Sequence, residues 1–149
     1  MPNIRITKIF DFDVAHALYN YKGLCRSIHG HSYKLYVTVS GKPEPDDNSA
    51  EFGMLMDFGI LKKLIKDNIV AVFDHSLLLY KKDNIKNISE ENPLFCRTHV
   101  LDFQPTCENM VCYFSEIIKS KLPSDIKLFS LKLHETPNSY AEWFESDQN

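Results

Sequence analysis

A chain of 149 residues, 44% hydrophobic and 25% charged, has the length and composition of one globular domain, which argues against long disorder and against a fibrous chain. The formal net charge of −3 leaves no broad basic field for nucleic acid or an anionic membrane surface. Four cysteines (Cys25, Cys96, Cys107, Cys112), irregularly spaced and without a C-x-x-C pair, argue against a disulfide framework or a zinc ribbon. MPNIRITKIF lacks the apolar stretch of a signal peptide and no later run approaches the length of a membrane span, so the expectation is a soluble cytoplasmic protein with reduced thiols.

From Ile4 the apolar residues alternate as Ile4 and Ile6, then Phe10, Phe12 and Val14, which predicts a strand that carries His16 on its buried face. The loop NYKGLCRSIHG follows. A second alternation places Tyr33, Leu35, Val37 and Val39 on one face, and extending it backward adds His29 and His31. GKPEPDDNSAEFG is turn-rich and ends that strand. Asp57 is the expected N-cap of a helix to about Val72, with Leu61, Leu64, Ile65 and Ile69 at helical spacing and lysines on the other face. Residues 81–97 read as a polar, irregular excursion, and a short strand is expected around His99 to Phe103. Thr106 N-caps a second helix through Val111, Phe114, Ile117 and Ile118, ended by Pro123. IKLFSLKLHET alternates again, with Phe129, Leu131 and Leu133 on one face and Glu135 ending the same parity; a last strand spans about Tyr140 to Phe144. The order of strands and helices predicts a two-layer α+β domain over residues 1–149 with helices on one sheet face. No glycine-rich phosphate loop or βαβ alternation is present, against a dinucleotide or P-loop fold.

Three of the six histidines fall within sixteen residues: His16 on the first strand, His29 and His31 two apart on one face of the second. A catalytic zinc site takes three protein ligands and keeps one position open, and imidazoles from two adjacent strands can converge in that way. Each histidine alone is also compatible with an ordinary hydrogen-bonded residue; the cross-strand pairing favours a metal, though spacing does not name the ion. Cys25, four residues before His29, is placed to reach a ligand on that metal if its thiolate is populated, and is otherwise a small inert hydrophobe. Asp74 beside His75 is a carboxylate that can orient an imidazole, or simply a polar pair at a helix C-terminus. Glu135 ends an apolar strand face, where a carboxylate either emerges into solvent or accepts parallel hydrogen bonds from a ring bearing an amino group beside an N–H. For Glu108, an acid in the first turn of a helix suffices as a reason.

The segments FDFDVAHAL, CRSIHGHSYKLYVTV, GMLMDFGILKKLI, FDHSLLL, PTCEN and LKLHET, in this order and spacing, resemble the 6-pyruvoyl-tetrahydropterin synthase superfamily from about Ile4 to Trp143, most closely its bacterial 6-carboxytetrahydropterin synthase branch. The resemblance implies the tunnelling fold: an antiparallel four-stranded sheet with two helices on one face, assembled into an oligomeric barrel, commonly a hexamer of two trimers with sites at subunit interfaces. It implies that His16, His29 and His31 hold Zn2+, that Cys25 is the catalytic base with Asp74 and His75 as relay partners, and that Glu135 anchors the pterin and joins the relay. Thr106 and Glu108 correspond to pocket-lining positions. The implied activity is a zinc-dependent carbon–carbon lyase converting 7,8-dihydroneopterin triphosphate to 6-carboxy-5,6,7,8-tetrahydropterin, acetaldehyde and triphosphate, on the way to queuosine and related deazapurines. The three-residue gap between Cys25 and His29, and His134 before Glu135, resemble the carboxy branch. The alternatives are a 6-pyruvoyl-tetrahydropterin synthase and a non-catalytic metal- or pterin-binding module. Cys107, where the family often has serine or threonine, and the long excursion at 81–97 depart from the family pattern.

Overall fold

A computed structural model describes residues 2–83 and 88–148. Two long strands form its centre: β1 (Ile4–His16) pairs antiparallel with β2 (His29–Gly41) in an unbroken register from Ile4↔Gly41 to His16↔His29. The alternating apolar positions do what a half-buried strand requires. Phe10, Phe12, Val14 and His16 of β1 are buried, as are Tyr33, Leu35, Val37 and Val39 of β2, while the residues between them are exposed or half-buried.

Helices cover that buried face. Asp57 accepts a hydrogen bond from the Gly59 amide and starts α1 (Phe58–Ile65), which continues through a π-helical turn (Lys66–Val70) into α2 (Ala71–Phe73). The buried residues Leu61, Ile65, Ile69 and Phe73 recur every four positions, slightly more than the 3.6 of an α-helix. The wider π turn takes up that drift and keeps one stripe on the sheet. The chain then forms β3 (Ser76–Tyr80), the short α3 (Ile88–Glu91), β4 (Thr98–Leu101), and α4 (Cys107–Lys119), which Thr106 caps through the Asn109 amide; β5 (Lys127–Thr136) and β6 (Ser139–Phe144) complete the sheet.

Phe114 of α4 lies at the centre of the interface between helices and sheet: it is 1% exposed, its ring centroid 6.0 Å from that of Phe12 and 5.5 Å from that of Phe73. Phe114→Ala removes a ring from three elements at once. It is expected to cost about 3–5 kcal/mol, read as a lowered urea midpoint at unchanged slope.

The sheet differs from the expected four antiparallel strands. Among the described residues it has six, in the order β4-β3-β1-β2-β5-β6, and β3 runs parallel to both β1 and β4. SLLLY is a short, continuous apolar run without alternation, so its strand character comes only from the neighbours it docks between. Phe129, expected beside Leu131 and Leu133, instead leaves the core: a β-bulge between Thr38 and Val39 pairs Ser130 with Thr38 and Leu128 with Val39. Leu128 is therefore the buried residue, and the Phe129 ring stacks under the Arg5 guanidinium, 3.7 Å away. The expected strand around His99 to Phe103 begins and ends earlier, at Thr98–Leu101. Within the 81–97 excursion, residues 84–87 lie outside the described ones; the rest forms single 3-10 turns and α3. Among the described residues, no helix is long and apolar enough to cross a membrane.

Candidate metal centre

The β1–β2 register sets the site. It puts His16 directly opposite His29 and Val14 opposite His31, so all three imidazoles share the helix-covered face at the end of the paired strands. Their ring centroids are 4.5, 5.1 and 5.0 Å apart, and one nitrogen of each lies within 4.8 Å of the others. Backbone carbonyls orient two of the rings: Nδ1 of His16 donates to the Pro105 carbonyl at 2.7 Å, and Nδ1 of His29 to that of Ser27 at 2.8 Å. A carbonyl only accepts, so each Nδ1 carries a proton, and in the neutral ring Nε2 is left with the lone pair. The two Nε2 atoms face each other at 3.0 Å. Two lone pairs at that distance repel unless a cation lies between them, and three neutral imidazoles suit a borderline ion such as zinc.

Burial favours the neutral form of two of the rings, His16 and His31. It lowers the pKa of both below the ordinary 6.5; the hydrogen bond to Pro105 and then the Glu135 carboxylate oppose this at His16, and Glu135 opposes it at His31, without overcoming it. The folded state thus binds fewer protons here than the unfolded chain once pH falls below about 6.5, so the stability from burying a neutral His16 is present above that pH and is lost below it. Comparing metal-free wild type with His16→Gln by urea unfolding, the wild-type advantage is expected to shrink between pH 7.5 and 5.5. An advantage that grows on acidification contradicts this assignment.

Glu135 extends the parity of Leu131 and Leu133 to the same place. Its Oε1 lies 3.6 Å from His16 Nε2 and 3.5 Å from His31 Nε2. The Tyr33 phenol lies beside this carboxylate and the His16 and His31 rings, and burial followed by the Glu135 charge holds its pKa well above the usual range. Tyr33, which sequence reasoning placed simply in the core, is thus a wall of the site; the available signal was a phenol two residues beyond His31 on an otherwise aliphatic strand face. Cys107 closes the wall beside it. Its thiol donates to the Leu133 carbonyl at 3.1 Å, and burial pushes its pKa up to about 11, so it is an inert thiol.

Cys25 sits in a 3-10 turn, Leu24–Arg26, on the loop that joins β1 to β2, half-buried and with its carbonyl accepting from the Leu18 amide at 2.9 Å. Thr106 and Glu108 stand at the start of α4, next to the Pro105 carbonyl that holds His16. The structure groups the Asp74–His75 pair elsewhere. Asp74 Oδ1 accepts from the Asp13 amide at 2.9 Å and from His75 Nδ1 at 3.0 Å, while the His75 amide donates to the Asp13 carbonyl at 2.7 Å and His75 adopts φ +58°. The Asp13 amide bond, first, holds the Asp74 carboxyl below the ordinary range. Asp13, whose carboxylate completes this cluster, points with Ser32 to the sheet face opposite Val14 and His31. An open cavity of about 410 Å³ is lined by Asp13, Ser32 and His75 and also by Val14, Gly30 and His31, so it borders one residue of the imidazole group as well. The larger cavity, about 510 Å³, lies around Ser40–Pro45 and Lys127 at the other end of the sheet and touches none of these residues.

Comparison with known proteins adds the following. The family described as 6-pyruvoyl tetrahydropterin synthase matches residues 5–146. A 6-carboxy-5,6,7,8-tetrahydropterin synthase of Rickettsia typhi is 35% identical over 141 residues, covering 93% of this chain and 99% of that protein. Its counterpart in Haemophilus influenzae is 30% identical, covering 95% and 99%. Among solved structures, 6-pyruvoyl tetrahydropterin synthase of Caenorhabditis elegans superposes with a TM-score of 0.68 at 25% identity, over 97% of this chain and 96% of that one.

Proposed function

This chain belongs to the 6-pyruvoyl tetrahydropterin synthase family, and we propose that within it the chain is a zinc-dependent 6-carboxy-5,6,7,8-tetrahydropterin synthase. The observation that carries this reading is the convergence of three imidazole nitrogens beside Glu135, in a chain whose bacterial relatives bear that name at 30–35% identity. The substrates are 7,8-dihydroneopterin triphosphate and one water, and the products are 6-carboxy-5,6,7,8-tetrahydropterin, acetaldehyde and triphosphate, on the way to queuosine-type deazapurines.

His16, His29 and His31 hold the zinc, which when bound supplies a Lewis acid that makes C–H protons beside the substrate's side-chain oxygens easier to remove. Cys25 takes those protons as thiolate and returns them. Glu135 anchors the pterin, its carboxylate accepting parallel hydrogen bonds from the ring N–H and amino group, with Thr106 and Glu108 at the rim of the pocket. Because Asp74 and His75 group with the opposite sheet face, their relay to a thiol is completed across a subunit boundary, in the barrel-shaped homohexamer we assign to the protein. Tyr33, packed against His16 and His31, walls the pocket beside Glu135.

Product identification tests the reading. Incubation with dihydroneopterin triphosphate is expected to yield acetaldehyde and a carboxypterin in equal amounts. A pyruvoyl side chain would assign the protein to the reaction named for its nematode structural neighbour. No product at all, with zinc bound, would leave a metal- or pterin-binding module.

A further inference from the structure

We propose that Gln104 is a positioning residue for the Cys25 thiol, acting through a two-sided amide clamp on the loop that carries it; this rests on Cys25 being the proton-transfer group proposed above. The Gln104 side chain reaches across 85 positions of sequence to Tyr19: the Tyr19 amide donates to Oε1 at 2.9 Å, and Nε2 donates to the Tyr19 carbonyl at 2.9 Å. A carboxamide engaged on both its oxygen and its nitrogen by one residue's backbone reproduces a short piece of sheet pairing and fixes both distance and orientation. The next bonds lead directly to the thiol's own residue. Leu18, beside the clamped Tyr19, donates its amide to the Cys25 carbonyl at 2.9 Å, and the Tyr21 amide donates to the Leu18 carbonyl at 3.3 Å.

The other end of the clamp is equally fixed. The Gln104 carbonyl accepts from the Thr106 amide at 2.8 Å and from Asn109 Nδ2 at 3.0 Å, which ties it to the first turn of α4. The neighbouring Pro105 carbonyl orients His16. One strip, Gln104 to Thr106, therefore holds both the His16 imidazole and the loop that carries Cys25. The outward residues of the loop, Tyr21, Leu24 and Ile28, are exposed, Leu24 at 94%, and do not anchor it in the core.

The test compares Gln104→Met, similar in length but unable to make either bond, with wild type as zinc-loaded full-length protein. Hydrogen exchange at the Tyr19 amide is expected to accelerate about tenfold or more, the net contribution of a lost hydrogen bond. Mass-mapped alkylation of Cys25, referenced to exposed Cys96 in the same molecule, is expected to change at least about threefold, and kcat to fall about ten- to a hundredfold with KM within about twofold and zinc content unchanged. Gln104→Asn keeps the amide but shortens its reach, and is expected to shift the same readouts in the same direction. Unchanged exchange at Tyr19, or faster exchange with unaltered Cys25 alkylation, overturns the proposal. Should wild type form no product, the synthase reading fails on that result alone, and exchange and alkylation still decide for or against the clamp.

Discussion

Replacing Cys25 by alanine is expected to lower turnover of dihydroneopterin triphosphate by about 10²–10⁴-fold, the usual contribution of a positioned general base, while the protein still binds one zinc per chain. The separation follows from structure. Cys25 lies on a half-exposed 3-10 turn and contributes a backbone carbonyl to its loop, so alanine preserves the fold; it stands outside the three-imidazole cluster, so the metal stays. Cys107→Ala provides the contrast. That thiol is buried with its pKa pushed up to about 11, so its loss is expected to cost stability without a comparable loss of kcat. Retained turnover in Cys25→Ala refutes the proton-transfer role, whatever the product.

The second large effect concerns the metal. His29→Ala is expected to weaken zinc binding by at least about 100-fold, more than the removal of an outer-shell partner costs, and to abolish turnover with it. His29 is the informative position because its ring is only partly buried and its deletion leaves the core under Phe12 and Phe114 intact, whereas His16 is 2% exposed and its removal also breaks the bond to Pro105. Metal content after dialysis against a weak chelator is the measurement; circular dichroism monitors the fold. Stoichiometric zinc retained by His29→Ala means that the ion, if present, is held elsewhere. Asp74→Ala, on the opposite face, is expected to leave metal content unchanged, which separates the two clusters experimentally.

Local pattern carried much of this architecture. The alternation Phe10–Phe12–Val14 and Tyr33–Leu35–Val37–Val39 specifies two half-buried strands because a slip of one residue would expose every apolar side chain. Asp57 and Thr106 mark helix starts because their side-chain oxygens satisfy amides that a first turn leaves unpaired. Where an extra residue enters, the same reasoning goes astray. The bulge opposite Thr38 and Val39 exchanges Phe129 for Leu128 in the core, a choice made by the register with β2 and invisible in β5 alone. β3 lacks any alternation, and its parallel pairing with β1 and β4 depends on contacts between segments distant in sequence.

By itself the sequence determined the α+β class, the two central strands with their inward faces, both helix starts, and the membership of a pterin synthase family written across nearly the whole chain. Only the tertiary structure decided that the sheet has six strands with parallel pairings, that Glu135 and Tyr33 meet at the imidazoles, that Pro105 and Gln104 orient His16 and the Cys25 loop, and that Asp74 and His75 group with the other face. The division has one physical cause. Side-chain periodicity and caps act over a few residues and leave their mark in local spacing, whereas a carbonyl that orients a ring 89 positions away is brought there by packing and leaves no mark in local spacing.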